Sequence, residues 1–292
     1  MSTVVYLSYG KGPHEQEVIF SLLSAWYWAM PGRDDVRFAV YTDHPETFAG
    51  LPVEIEKVSP KTWGEWSGPA GFNHRRKIMA LRHAIGRWDA KTVLLDGDTW
   101  WRNRPAVLFD RIGPGRSTMH LREGRVETLR HHSPTAQALA TLFATHSFTD
   151  FHGHTKVFES SEWMWNSGVI GLDPADAGLL DEVLYWNDAL CSVARLHVLE
   201  QFALGYVLGH RTGLDEAGDC VWHYWPCYMI QPFRKRLPGI MAATCALPLA
   251  ERAAACYRHR PRPTPARRAK SLVMRGLQVI GLQAPRPRCS EW

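Results

Sequence analysis

Short apolar runs alternate with amphipathic stretches along the first hundred residues. Runs typical of buried strands cover residues 4–8, 36–42, 53–58 and 92–95, and apolar positions at helical spacing cover 15–28 and 75–87. The order strand, helix, strand, strand, helix, strand predicts an α/β fold with a mainly parallel, twisted sheet flanked by helices. Between these elements, residues 62–73 read TWGEWSGPAGFN. The many small and polar positions predict a loop that could act as a mobile lid.

The pattern continues less regularly beyond residue 100. It predicts strands over 117–121, 169–172 and 220–225, and helices over 135–144, 176–191 and 198–208. No internal repeat is visible. We therefore predict one domain over residues 1–255, followed by a Pro- and Arg-rich tail over 256–292.

Composition narrows the class of protein. Of 292 residues, 45% are hydrophobic and 22% are charged, which is typical of a globular domain. No run approaches the ~18 apolar residues that a membrane span requires. The chain enters a strand-like run without a signal-peptide pattern, and its six cysteines lack C-x-x-C spacing, so we expect reduced thiols and a cytoplasmic protein.

Charge is concentrated in the tail. Residues 256–292 contribute +8 to a net charge of +5, which leaves the rest of the chain at −3, and a nucleic-acid partner is therefore not indicated. Within the tail, AKSLVMRGLQVIGLQ has apolar positions at helical spacing beside basic ones. This predicts either a short helix on an anionic membrane surface, with peripheral attachment to the inner face of the membrane, or a disordered or self-docked tail.

The most informative motif follows the run at 92–95. Asp96 and Asp98 flank Gly97, and because open α/β sheets bind ligands where parallel strands end, both carboxylates would lie at such an edge. Two close carboxylates repel each other unless a cation or a proton lies between them, which favours a divalent metal holding a phosphorylated substrate. A hairpin turn is the alternative for Asp-Gly-Asp.

Two later motifs could complete this site. Asn166, Ser167 and Gly168 precede the run at 169–172 and offer polar groups and a close backbone approach to a ligand, although a simple turn before a strand reads the same way. His223 follows the short apolar stretch Cys220-Val221-Trp222 within the late run at 220–225 and could be a third metal ligand, or an ordinary packed histidine.

The order and spacing of these motifs resemble the GT-A glycosyltransferases, most closely the retaining family 8-like enzymes. Those enzymes have Asp-x-Asp after an apolar strand, an Asn-Ser-Gly strand start, an Asp-Gln helix and a histidine after a late strand. Here the counterparts are Asp96-Gly97-Asp98, Asn166-Ser167-Gly168, Glu200-Gln201 and His223, and the likeness covers residues 3 to about 232.

The resemblance implies a role for each matched position. Asp96, Asp98 and His223 would bind Mn²⁺, or Mg²⁺, together with the diphosphate of a nucleotide-diphospho-sugar such as a UDP-sugar. The transferred sugar would face Asn166, Glu200 and Gln201. The nucleotide would be held by Ser8, Tyr9, Tyr41, Thr42, Asp43, Arg76, Lys77, Gly97, Ser167 and Gly168, and the acceptor would be a glycan or a lipid-linked molecule.

The chain also departs from that family. Glu200 stands where Asp is usual, and no Gly-x-x-Lys-Pro phosphate clamp follows His223, which leaves Arg234, Lys235 or Arg236 as substitutes and the retaining outcome open. Two other functions compete. One is a haloacid dehalogenase-type, Mg²⁺-dependent phosphatase, although Trp100 stands where that motif has Thr or Val. The other is a non-catalytic carbohydrate-binding protein with the same fold.

Overall fold

The structure of the protein, a computed structural model, describes residues 1–30 and 35–262. Its strands are β1 (Ser2–Ser8), β2 (Val36–Thr42), β3 (Glu54–Lys57), β4 (Thr92–Leu95), β5 (Thr99–Trp101), β6 (Arg116–Arg125), β7 (Phe148–Thr149), β8 (Thr155–Lys156), β9 (Trp163–Leu172), β10 (Gly213–Glu216) and β11 (Val221–His223). Its α-helices are α1 (Pro13–Trp28), α2 (Pro60–Trp66), α3 (Arg75–Trp88), α4 (Pro105–Phe109), α5 (Val126–Leu129), α6 (Pro134–Thr145), α7 (Leu179–Val193), α8 (Leu199–Arg211), α9 (Cys227–Thr244) and α10 (Leu249–Arg258).

Seven strands form the central sheet in the order β10-β6-β9-β4-β1-β2-β3. β9 runs antiparallel to β4 and β6, and the other neighbouring pairs are parallel. The predicted α/β fold with a mostly parallel, helix-flanked sheet is therefore confirmed. Two short ladders, β5 with β11 and β7 with β8, lie outside this sheet.

Helices cover both faces of the sheet and enclose a core on each. In β4, Leu94 faces the core shared with α2, α3, α6, α7 and α8, whereas Val93 and Leu95 face the core shared with α1, α4, α9 and α10. This is why β4 is apolar at consecutive positions: a strand buried on both faces has no polar side. The carboxyl end of β4 is consequently fixed between two packed layers.

Two predicted boundaries are wrong. α2 takes up the first part of the segment predicted as a loop over 62–73. Ser59 caps the start of this helix, and its residues Trp63 and Trp66 are buried. The strand predicted over 169–172 begins at Trp163, so Asn166, Ser167 and Gly168 lie within β9 and not before it. In both cases packing against neighbouring elements outweighs the local pattern.

The C-terminal helices were not predicted from the sequence. α9 contains Pro232 and Pro238, residues that normally argue against a helix interior, and α10 packs against α1, where Tyr257 stacks on Tyr27 with ring centroids 4.0 Å apart. The domain boundary expected at residue 255 falls inside α10.

The tail helix expected within AKSLVMRGLQVIGLQ lies outside the described residues. No helix in the described part of the chain is long and apolar enough to cross a membrane.

Candidate metal centre and cleft

Three potential ligands meet at the carboxyl end of β4. Asp96 directly follows β4, and Asp98 lies in the turn that leads into β5. β11 pairs antiparallel with β5 and places His223 opposite Thr99, so the ladder brings a residue from the end of the domain beside the two aspartates. The predicted convergence of these three side chains is confirmed.

Their geometry suits a divalent cation. His223 Nε2 lies 3.1 Å from an Asp98 carboxylate oxygen and 3.8 Å from one of Asp96, and one ligating atom from each residue lies within 4.8 Å of the others. Burial disfavours both charged forms, but the attraction between the two groups lowers the pKa of the Asp98 carboxyl and raises the pKa of the His223 ring. Two carboxylate oxygens and an imidazole nitrogen are ordinary ligands of Mn²⁺ and related metals.

Hydrogen bonds around Asn166 fix the tautomer of His223. The backbone N–H of Gly168 donates to Asn166 Oδ1 at 3.0 Å, and Asn166 Nδ2 donates to a Glu123 carboxylate oxygen at 3.1 Å, which settles the orientation of the amide. The same Oδ1 lies 2.8 Å from His223 Nδ1, so Nδ1 must carry the hydrogen. Nε2 then faces the two aspartates, as a metal-binding histidine requires.

Gly168 has a different role from the one expected. A Cβ atom at this position would lie 2.2 Å from His223 Nδ1 and 2.6 Å from Cε1. The missing side chain therefore makes room for the imidazole ring against β9. We expected Gly168 to contact a nucleotide, and the structure corrects this, since the space above it is filled by His223.

Lys77 links the metal centre to a buried glutamate. Its ammonium lies 2.8 Å from Asp96 Oδ2 and 3.4 Å from Glu200 Oε1, and Ser167 Oγ donates to the same Glu200 oxygen at 2.6 Å. Burial disfavours the charged lysine, but Asp96 and Glu200 outweigh it and raise the pKa of the Lys77 ammonium above its ordinary value. Lys77 is therefore a permanent positive charge beside the aspartates.

The metal centre opens into a cleft of about 1430 Å³. α1, α3, α6, α8 and α9 all begin at this cleft and line it with residues from or next to their first turns. Helix N-termini carry partial positive charge, which offsets part of the negative charge of the acidic side chains that line the cleft, Glu17, Asp96, Asp98, Glu123 and Glu200. The expected site residues that line the cleft are Tyr9, Lys77, Asp96, Gly97, Asp98, Asn166, Ser167, Glu200, Gln201 and His223.

Tyr41 is not placed as the expected base platform. Its ring is 1% exposed beneath Trp66, and its hydroxyl pairs with His83 Nδ1 at 2.8 Å, so neither face of the ring is open to a ligand. Thr42 and Ser8 are likewise buried where the strands end. These three nucleotide-binding expectations are corrected, because helices cover both faces of the sheet and leave these side chains buried.

Asp43 and Arg76 contact residues next to the cleft and do not line the cleft themselves. Asp43 accepts the backbone N–H of Gly10 at 3.0 and 3.1 Å, which ties the end of β2 to the end of β1. Arg76 donates to Ser67 Oγ at 2.8 Å and its guanidinium lies 4.6 Å from the ring centroid of Tyr9. Both residues were expected to contact the nucleotide, but neither lines the cleft.

The structure adds residues that the sequence did not reveal. Arg234 is selected among the three basic candidates: it lines the cleft and pairs through two 2.9 Å contacts with Glu17, which is 1% exposed, whereas Arg236 donates to the carbonyl of His259. Glu123 accepts from both Asn166 and Gln201. Glu17 has no local signal, because helical spacing places it on the side of α1 opposite to Val18, Leu22 and Trp26.

The cleft thus combines three chemical capacities. Asp96, Asp98 and His223 can hold a cation, and Lys77 and Arg234 provide fixed positive charges near them. The converging helix starts add partial positive charge around a volume large enough for an extended ligand.

Searches against protein-family models and curated proteins found no match to this chain.

Proposed function

We propose that the protein is a metal-dependent glycosyltransferase of the GT-A type that moves a sugar from a nucleotide-diphospho-sugar to a glycan or lipid-linked acceptor. The observation that carries the proposal is the Asp96, Asp98 and His223 cluster at the carboxyl edge of a mostly parallel sheet, inside a large cleft that also holds Lys77 and Arg234. Open α/β sheets bind their ligands at this edge. The sheet is compatible with a GT-A fold without being specific to it.

Asp96, Asp98 and His223 would hold the metal. The nitrogen ligand favours Mn²⁺ over Mg²⁺, which prefers all-oxygen surroundings. A bound divalent cation supplies positive charge that offsets the charge developing on a departing diphosphate. His223 is ready for this role because Asn166 holds the hydrogen on the other ring nitrogen.

Lys77 and Arg234 would bind the diphosphate from two sides. Each is itself anchored by a buried acid, Glu200 for Lys77 and Glu17 for Arg234, and this anchoring holds each positive charge beside the metal centre. A pre-positioned charge loses little freedom when the ligand binds. Of the two tyrosines expected to stack on the base, Tyr9 is the one that lines the cleft, where it packs against Trp63, and we assign the nucleoside to it.

Gln201 is the best-placed residue for the transferred sugar. It lines the cleft, and its amide nitrogen donates to Glu123 at 3.0 Å, which fixes the direction of the side chain. Glu200 is 2% exposed and shares one oxygen with Ser167 and Lys77, so it anchors Lys77 and is poorly placed to attack a sugar. Retention of configuration is part of the proposal through the resemblance to family 8-like enzymes, and the anomeric protons of the product, read by NMR, would test it.

The deciding experiment combines binding and turnover. A panel of UDP- and GDP-sugars is screened by thermal shift with and without Mn²⁺, and hits are assayed for Mn²⁺-dependent release of the nucleoside diphosphate. Asp98→Asn should lose both signals, and Asp219→Asn, which alters an exposed ion pair with Arg111, is the matched control. Mg²⁺-dependent cleavage of a simple phosphomonoester would instead indicate a phosphatase. Sugar binding without turnover would indicate a binding protein.

We further propose a cytoplasmic location, peripheral on the inner membrane face through the basic tail. The test is sedimentation with vesicles of anionic lipid, comparing the full chain with one ending at Arg262. The truncation keeps Arg260, whose guanidinium lies 4.2 Å from the ring centroid of Tyr257, so α10 stays intact. Equal vesicle binding by both chains would reject the attachment.

A further inference from the structure

We propose that the acceptor is amphiphilic, with an alkyl or aromatic portion that binds the apolar wall of the cleft formed by β6, α5, α6 and β9. This inference rests on the proposed function, because it assigns the part of the cleft that the nucleotide does not need. We call this surface the apolar wall, and it consists of Leu121, Leu129, Pro134, Ala136, Leu139 and Met164.

The apolar wall is continuous with the core of the domain. Leu139 is fully buried and Met164 is 3% exposed, and both belong to the core cluster on the α6 face of the sheet, with Leu129 packed against it. The cleft therefore reaches down to core side chains on this side. An apolar group bound here would be removed from water at about 25 cal/mol per Å² of its surface.

Leu121 is an exposed member of this wall. It is 39% exposed, and among the side chains that the structure describes it is the only large, exposed apolar one that also lines the cleft. An exposed leucine alone needs no explanation, but one that lines the same cleft as Leu129, Leu139 and Met164 indicates an apolar ligand.

The wall lies next to the proposed reaction centre. Leu121 pairs across the strands with Asn166, whose amide oxygen contacts His223. Two residues further along β6, Glu123 accepts from both Asn166 and Gln201. A molecule on the apolar wall thus has the metal centre and the sugar-facing glutamine as its immediate neighbours, which is where an acceptor hydroxyl has to be.

The size of the cleft allows both ligands at once. Pockets for single small molecules are typically ~300–1,000 Å³, and this cleft measures about 1430 Å³. The charged part, around Lys77, Asp96 and Arg234, suits the anionic donor. The nucleoside is assigned to Tyr9, which follows β1, and β4 and β9 separate β1 from β6 in the sheet. The apolar wall therefore remains for the second substrate.

The test measures how binding depends on alkyl chain length. Methyl, butyl and hexyl β-D-glucopyranoside are titrated by calorimetry into the full chain loaded with Mn²⁺ and UDP, below micelle-forming concentrations. Each fully buried methylene is worth about fourfold in affinity, so we expect hexyl glucoside to bind at least about tenfold more tightly than methyl glucoside. Equal affinities would overturn the proposal.

Two variants assign the effect to the wall. Leu121→Gln and Leu129→Gln should each reduce the hexyl-over-methyl preference by at least about threefold. Val193→Gln changes another exposed apolar side chain, outside the cleft, and should leave the preference unchanged. A preference that survives in both leucine variants would place the alkyl chain elsewhere and reject the site.

The outcome is separable from that of the proposed function. Binding of Mn²⁺ and UDP is read by thermal shift on the same samples, and the glucoside titration is repeated without them. If the nucleotide fails to bind, the transferase proposal fails while a chain-length dependence that needs Leu121 still reports the apolar site. If the nucleotide binds and chain length has no effect, the amphiphilic acceptor alone is rejected.

Discussion

The amide oxygen of Asn166 lies 2.8 Å from Nδ1 of His223, and this contact decides which ring nitrogen faces the two aspartates. The amide cannot turn around, because its oxygen also accepts the backbone N–H of Gly168 and its nitrogen donates to Glu123. Asn166 is 5% exposed, with its amide committed on both sides. It is therefore better explained as a positioning residue for the metal ligand than as a contact to the transferred sugar, the role expected from the sequence.

Replacing Asn166 should weaken metal binding without removing a ligand. We expect Asn166→Ala to lower Mn²⁺ affinity ~10- to 100-fold, the usual effect of losing the hydrogen bond behind a metal-binding histidine. The measurement is an EPR titration of free Mn²⁺. Asn103→Ala, at a position that does not line the cleft, is the control. An unchanged affinity in Asn166→Ala would mean that the tautomer is set by something else.

Gly168→Ala tests the space that the imidazole occupies. Because the added Cβ would lie 2.2 Å from His223 Nδ1, the ring has to move, and we expect loss of Mn²⁺ binding together with ~1–3 kcal/mol lower free energy of unfolding. Gly178→Ala is the matched control, since its Cβ would meet nothing within 4 Å. Urea denaturation and the Mn²⁺ titration give the two readings. Normal metal binding in Gly168→Ala would show that the ring can lie elsewhere.

Asp98→Asn removes a charge at nearly constant volume. We expect the variant to keep its circular dichroism spectrum and to lose the stabilisation that wild-type protein gains from Mn²⁺, because an amide oxygen is a much weaker ligand than a carboxylate. His223→Ala should weaken the Mn²⁺ affinity as well. A thermal shift with Mn²⁺ that is equal in wild type and Asp98→Asn would refute the assigned ligand set.

Parts of this site are readable from the sequence because they depend on local pattern alone. The strands at Val36–Thr42 and Thr92–Leu95 have the predicted bounds, since continuous apolar runs identify strands buried on both faces. Asp96 and Asp98 follow directly from the second of these runs. His223 was a candidate third ligand from its place in a late apolar run, and the resemblance supported it. The physical cause is the β5–β11 ladder, which the sequence analysis did not predict.

Other parts depend on contacts between distant segments. Tyr41 and Tyr9 look equally suitable for stacking on a base, and only the position of α2 shows that Trp66 covers Tyr41 while Tyr9 stays at the cleft. Glu123 has no local signal, because its role comes from the antiparallel pairing of β6 with β9. Gly168 was correctly singled out for a close approach, but what approaches is a side chain 55 positions later in the chain.

His120 should make the protein sensitive to mild acid. Burial, together with the neighbouring His223, lowers the pKa of His120 from 6.5 to about 3. Between these values the unfolded chain binds a proton at this position and the folded protein does not, so this group lowers the free energy of unfolding as the pH falls from 6.5 towards 3, by ~1.4 kcal/mol per pH unit. Above pH 6.5 both states are neutral and the effect vanishes.

The substitution His120→Gln isolates this contribution. The glutamine oxygen can still accept the backbone N–H of His223, which donates to His120 Nε2 at 3.3 Å, but it does not titrate. Urea denaturation between pH 7 and 4.5 should therefore show a smaller loss of stability in the variant than in wild type. The exposed His146→Gln serves as control. Parallel curves for wild type and His120→Gln would contradict the assignment.

Lys77→Met separates the charge of the lysine from its packing. Glu200 is 2% exposed and would lose the cation 3.4 Å away, while Asp96 would lose one at 2.8 Å, so we expect the free energy of unfolding to fall by ~3 kcal/mol. Mn²⁺ should restore more stability in this variant than in wild type. Once Lys77 is gone, the metal takes over the neutralisation of Asp96, which otherwise keeps His223 as its partner. Binding of UDP with Mn²⁺ should nevertheless weaken at least about tenfold, since Lys77 is also a proposed diphosphate ligand.

Lys61→Met, at an exposed lysine paired with Glu65, is the control for general loss of charge. A variant as stable as wild type that still binds the nucleotide normally would show that Lys77 neither neutralises Glu200 nor contacts the diphosphate.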